Sequence, residues 1–164
     1  MEDRPKMKLE FTTTDKVLEI IGFFSLVAIW GLTIVSYNKL PDIIPMHYNG
    51  AGEVDRYGEK SNILALPLIA TILFAGLTIL NKFPHIFNYL TSITKANAQR
   101  QYTNATRMIR FLKLVLVVIF LLIEYKTIQI TNGRVDGLGT LFSPFVLATI
   151  FIPLIYFFVK SIKQ

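Results

Sequence analysis

At 164 residues, 52% of them hydrophobic and only 17% charged, with a mean hydropathy of +0.49, the chain has the length of one domain but is too apolar for an ordinary soluble one. It contains no cysteine, which excludes disulfides, thiolate metal sites and a cysteine nucleophile. Its net charge of +6 does not point to nucleic acid, because basic residues in so apolar a chain report membrane topology.

Residues 1–16 are polar and form an N-terminal segment ahead of one membrane domain, 17–164. Within Thr12-Thr13-Thr14-Asp15, Thr14 or Asp15 is the expected helix cap, since their side-chain oxygens can take free N–H groups. Residues 17–37 carry a single charge, Glu19, and are long enough to cross a hydrocarbon core of about 30 Å. A cleaved signal peptide is the rival reading, but Val35-Ser36-Tyr37-Asn38-Lys39 offers no small-residue cleavage pattern.

Pro41 helps end the first helix, and a polar loop over 40–60 follows. A second apolar run covers 63–80, with Ser61 or Asn62 as the expected cap and Pro67 in its first turns. Residues 85–110 are basic, and Ile86, Phe87, Leu90 and Ile93 recur at helical spacing, which predicts an amphipathic helix on the membrane surface. From about Asn97 the chain can run on as a continuous helix into a third crossing over 111–130. A Gly- and Asn-rich turn precedes the fourth, 138–159, whose interior holds Pro153 and is expected to kink there.

The predicted fold is therefore an all-α integral membrane protein with four transmembrane helices. A structured extracytoplasmic loop joins helices 1 and 2, and an amphipathic cytoplasmic helix joins helices 2 and 3. Four crossings put Arg4, Lys6, Lys8, Lys16, Lys82, Lys95, Arg100, Arg107, Arg110, Lys160 and Lys163 on one side. The other side holds Lys39, Arg56, Lys60 and Arg134, with Lys126 near it, so both termini are expected in the cytoplasm and the 40–60 loop outside.

That loop holds most of the candidate chemistry. Pro45 disfavours helix, Asn49-Gly50-Ala51-Gly52 is a turn signal, and residues 53–58 can fold back as a second strand, giving a hairpin-like cap. Tyr37, Tyr48 and Tyr57 are expected to anchor it at the lipid interface. The candidate ligand-binding residues are His47, Asn49, Glu53, Asp55, Arg56 and Lys60. A histidine with two carboxylates can hold zinc or do acid–base work, but no His-Glu-x-x-His motif supports either, and His85 falls on the other side. Structural fixing of the loop by these side chains is favoured over ligand binding, and ligand binding over catalysis.

The stretch LPDIIPMHYNGAGEVDRYGEKS resembles the signature of the bacterial membrane family of domain of unknown function 1648, through Pro41, Pro45, His47, Asn49, Gly52, Asp55, Gly58 and Lys60. The second connection is similar through Asn88-Tyr89, Thr94, Asn97, Gln101-Tyr102 and Arg107, with Leu90 where that family usually has Pro. The resemblance implies a membrane fold. The same domain occurs in Sdp-type toxin-immunity proteins, but the resemblance implies no catalytic residue, metal or cofactor.

Outside the loop, Glu124 is the carboxylate set deepest in an apolar run, expected near interface water at the outer end of its helix. Trp30 is expected to pack on a neighbouring helix. Lys95, Arg100, Arg107, Arg110 and Lys113 are candidates for anionic lipid headgroups. The same region, 86–110, could instead hold a cytoplasmic protein through Gln99, Gln101, Tyr102 and Asn104.

The leading expectation is a non-enzymatic protein of the bacterial cytoplasmic membrane whose outward loop recognises a peptide, ligand or envelope component, in immunity, sensing or an accessory role. A small transporter or channel using Glu124 and the Pro153 kink comes second. A metal-dependent membrane hydrolase comes third.

Overall fold

The computed structural model describes residues 4–163; the first three residues of the N-terminal segment and the last residue of the polar tail lie outside them. Helix α1 spans Thr13–Tyr37, strands β1 and β2 span Ile43–Tyr48 and Val54–Glu59, and helices α2, α3 and α4 span Ala65–Leu80, Ala98–Thr131 and Phe142–Ile162. The chain is thus mostly helical, with one two-stranded antiparallel sheet where the outward loop was expected.

The helix starts correct two expectations. Thr12, not Thr14 or Asp15, caps α1, because the Asp15 carboxylate reaches back to accept from the Thr12 N–H at 3.0 Å while the Thr12 hydroxyl accepts from the Asp15 N–H at 3.3 Å. Neither Ser61 nor Asn62 caps α2. A 3-10 turn over Lys60–Leu64 intervenes, closed by the Asn62 side-chain amide donating to the Glu59 carbonyl at 2.8 Å. Pro67 sits buried in the first turn of α2, where its missing N–H has no intrahelical partner to lose.

Three helical stretches, Thr13–Tyr37, Lys60–Leu80 and Phe142–Ile162, are long and apolar enough to cross a membrane. Their outer faces leave Phe24, Ile34, Ile72 and Ile152 exposed, an apolar surface far beyond what a soluble monomer presents. Helix α3 is the central element. At 34 residues it is about 50 Å long, and α1, α2 and α4 all pack against it while α2 and α4 scarcely touch each other. Trp30 of α1 does meet a neighbour, donating its indole N–H to Thr71 of α2 at 2.9 Å.

The surface helix expected across 85–110 does not form as such. Only Ala98 onward is helical, continuous into the third apolar run, whereas Pro84–Ile86 is a short 3-10 turn and 87–97 is irregular. Local side-chain bonds hold that path against helix. Tyr89 donates to the Pro84 carbonyl at 2.8 Å, and Asn97 accepts from the Thr94 N–H and donates to the Ser92 carbonyl. Arg4 reaches over to donate to the His85 and Phe87 carbonyls.

The base of the hairpin is fixed by a small apolar cluster. Leu40, Ile44, Ile63 and Ile128 are buried together, with Leu32, Tyr37 and Leu64 against them, so β1 is tied to α1, to the turn before α2 and to α3.

Candidate functional site

The hairpin is built by its turn. Asn49 accepts from the Ala51 and Glu53 N–H groups through its side-chain oxygen, at 2.9 and 3.0 Å, and its amide donates to the Glu53 carboxylate at 2.9 Å. Gly52 holds a φ of +80°, and a Cβ there would lie 2.6 Å from the Gly139 carbonyl oxygen. Such close approach lets the turn dock on the α3–α4 connection, where the Leu138 N–H donates to the Gly52 carbonyl at 2.7 Å and Glu53 pairs with Gly137. The hairpin is thereby held at both ends.

The six candidate ligand-binding residues divide by these contacts. His47 Nδ1 donates to Asp55 Oδ1 at 2.6 Å across the strands, beside a bulge in β1, and both side chains are exposed. Glu53 turns to Asn49 instead, so the two carboxylates do not converge on the histidine. Among the described residues no group of three or more His, Asp and Glu side chains comes together. Lys60 pairs with Asp42 at 3.0 Å and lies over the Tyr37 ring. Arg56 stands opposite His47, exposed and without an ion pair among the described residues. Asn49, Glu53 and Lys60 thus hold the loop in shape, leaving His47, Asp55 and Arg56 on its surface.

Beneath the hairpin lies the feature that sequence reasoning missed. A cavity of about 580 Å³ fills the cleft between α2 and α4, with α3 as its floor and β1 as its roof. The floor is one face of α3, where Ile119, Ile123, Glu124 and Thr127 follow helical spacing; Val146 and Leu147 of α4 and Ala65 and Leu66 of α2 form the walls. Its volume falls in the range of about 300–1,000 Å³ typical of small-molecule sites, and its lining is mostly apolar with a few polar groups, as such sites are.

Glu124 is the group expected near interface water, and the structure corrects that placement: it is fully buried. Its position seven residues before the end of α3 is shallow along the helix, but its side chain faces inward, where α1 and the cleft walls shut out water. Oε1 shares a short hydrogen bond with the Thr33 hydroxyl of α1, whose single proton is divided between this carboxylate and the Ile29 carbonyl. Oε2 has no hydrogen-bond partner, and no cation pairs with this carboxylate among the described residues.

One turn further on, Thr127 donates to the Ile123 carbonyl at 2.9 Å, so the 2.6 Å bond between Tyr48 and Thr127 is donated by the phenol. Burial pushes the Tyr48 phenol above its usual range, with the Thr127 bond pulling the other way. It therefore stays neutral at ordinary pH and ties the roof of the cavity to its floor.

The basic connection resolves differently from the expected headgroup site. Arg107 donates to Asp15 Oδ1 at 3.0 Å, and Arg110 lies 3.5 Å from the same oxygen. Glu19 takes Lys113 at 2.6 Å, and lies 3.3 Å from Arg110 Nε, a charge contact not aligned as a hydrogen bond. Lys113 also donates to Thr78 of α2 at 2.7 Å and sits over the Phe74 ring. Arg110 and Lys113 are buried, so neither is available to lipid, and most of the Arg107 guanidinium is committed to α1; Lys95 and Arg100 remain exposed. The reason is that α1 supplies two carboxylates one turn apart, facing three cations spaced every third residue on α3.

The polar residues weighed for a cytoplasmic partner are likewise mostly internal. Gln101 exchanges two bonds with Ser161 of α4, Asn104 donates to the Phe157 carbonyl at 2.9 Å, and Tyr102 is buried beside Tyr89. Burial raises both phenols above their usual range. Only Gln99 of the four is exposed.

Comparison with known proteins agrees with the resemblance read from the loop. The family model described as Domain of unknown function (DUF1648) matches residues 24–71, which covers the second half of α1, the whole hairpin and the start of α2. An uncharacterized protein of Archaeoglobus fulgidus is 28% identical over 162 residues, covering 90% of this chain and 87% of that protein. No solved structure matches.

Proposed function

We propose, from a chain whose residues 24–71 carry the domain of unknown function 1648, that this is a multi-pass cell-membrane protein that binds a small amphipathic ligand beneath its hairpin without transforming it. The supporting observation is the apolar cavity between α2 and α4, roofed by β1 and ending on a buried carboxylate. In this reading the apolar half of α3 is the fourth crossing, both termini and the basic connection lie in the cytoplasm, and the hairpin faces outward as the charge bias implies. Immunity, sensing or an accessory role in a bacterial cytoplasmic membrane is compatible with such capture. The site of recognition moves from the outer surface of the loop to the space under it. Lys95 and Arg100 are the residues left to meet anionic headgroups on the cytoplasmic side.

Filling the cavity tests this. Val146→Trp places a large ring among the lining residues, and native mass spectrometry of the full chain from maltoside micelles then reads retention of dodecyl amphiphiles. Wild type is expected to retain one molecule and the variant none; equal retention by both would remove the cavity as the binding site.

A second reading, a small carrier or channel, is favoured by the same Glu124, because an ionisable group buried in a membrane helix commonly marks a transport path. Proteoliposome flux that depends on Glu124 would support it, and flux indifferent to Glu124→Gln would remove its basis.

A further inference from the structure

Among the described residues, every buried charge is partnered except one. Asp15, Arg110 and Lys113 are each about 95% or more removed from solvent, and each lies against an opposite charge. Glu124, completely removed from solvent, has only the Thr33 hydroxyl on one oxygen and nothing on the other. A buried acceptor without a partner carries its desolvation cost uncompensated, and that cost is greater for a charged group. That atom belongs to a residue lining the cavity beneath the hairpin, so a group entering the cavity lies beside the Glu124 side chain.

The lining also decides what sort of group. No lysine or arginine contributes to the cavity wall, so nothing there welcomes an anion, and the one carboxylate would repel it. Among the other polar liners, His47 is held by Asp55, and Tyr48 and Thr127 are bonded to each other. A neutral hydroxyl would gain one hydrogen bond to Glu124. An ammonium gains a charge-assisted one, in surroundings where water does not weaken the attraction. It also carries further donors, and the Ser143 hydroxyl of α4 lines the same cavity.

We propose that the cavity takes an amphiphile with an ammonium head, its alkyl part lying among Ile119, Ile123, Val146 and Leu147 and its head on the free oxygen of Glu124. This rests on the cavity-binding reading above and specifies the class of ligand. The cleft between α2 and α4 gives such a molecule a lateral way in, since those two helices meet only through α3 and the hairpin. The same head chemistry occurs on free alkylamines and on ethanolamine lipids.

The test compares head groups on one chain length. Dodecylamine, dodecanol and dodecanoate are titrated separately into purified full-length protein in maltoside, with native mass spectrometry reading occupancy, and lysophosphatidylethanolamine is run as the lipid source of the same ammonium. Wild type is expected to bind the amine at least about tenfold more tightly than the alcohol, and the carboxylate least. Glu124→Gln keeps the shape and the Thr33 bond, and should erase that preference while leaving the alcohol unchanged. Occupancy by the lysolipid in preference to dodecylamine, lost in the same variant, supports the ammonium assignment and gives its source as lipid. If amine and alcohol bind alike and Glu124→Gln alters neither, the ammonium head is wrong although the cavity stands. If no probe binds wild type, or Val146→Trp leaves every probe bound, the cavity reading fails and this inference with it.

Discussion

Buried acid is handled in opposite ways at the two ends of α3. Near its start, Asp15 and Glu19 of α1 meet Arg107, Arg110 and Lys113 in a ladder that leaves no carboxylate without a cation. Near its other end, Glu124 meets α1 through a single threonine hydroxyl and otherwise faces a cavity. Both arrangements remove carboxylates from water, but only the first returns an opposite charge for each one. The ladder is a structural joint. The lone acid is kept at a cost to stability, and binding is the use that would justify it.

Mutations should separate the two ends by size of effect. Arg110→Ala removes the cation that Asp15 and Glu19 share, leaving Arg107 on one and Lys113 on the other, and should destabilise by about 1.5–3 kcal/mol, read as a fall in the thermal midpoint of the solubilised protein. Next comes the joint between hairpin and α3–α4 connection. Gly52→Ala forces a Cβ into positive φ and against Gly139, which should cost about 1–3 kcal/mol and make the Asn49–Glu53 turn faster to exchange its amide hydrogens. Glu124→Gln should cost less than about 1 kcal/mol, or raise the midpoint, because it removes a charge that has no partner. If Glu124→Gln destabilises as strongly as Arg110→Ala, the contrast between the two ends is broken. The smallest effect belongs to the exposed His47–Asp55 pair, where replacing both by Ala should move stability by no more than about 1 kcal/mol.

The hairpin was the most legible part of the molecule. Pro45, Asn49, Gly52 and the alternating residues after it act locally, and the observed strands Ile43–Tyr48 and Val54–Glu59 lie within a residue of the expected ones. Helix ends were legible to within a few residues for the same reason, and the continuous helix starting near Asn97 was read correctly. What failed needed distant partners. Arg107, Arg110 and Lys113 read as a lipid-facing basic run because their acids lie about 90 residues earlier, and only the matching one-turn spacing of Asp15 and Glu19 hinted at the pairing. Glu124 read as interfacial because depth along a helix can be counted from sequence, whereas the face it presents depends on what packs there. Of the helix expected over 85–110, the part before Ala98 does not form, because the Tyr89 and Asn97 side-chain bonds hold a turn that apolar spacing does not reveal. The cavity left no signal in any one segment, since four separate elements wall it.

The most direct test of Glu124 as a ligand-facing group is thermal unfolding, followed by the fluorescence of Trp30, the single tryptophan, with dodecylamine, with dodecanol and with neither. A ligand that binds only the folded chain raises the midpoint by mass action, by about 2.7 kcal/mol of stability at one hundred times its dissociation constant. The amine should raise the midpoint of wild type well above what dodecanol does, and raise that of Glu124→Gln no more than dodecanol does. An equal rise with the amine in both proteins would contradict that role for Glu124.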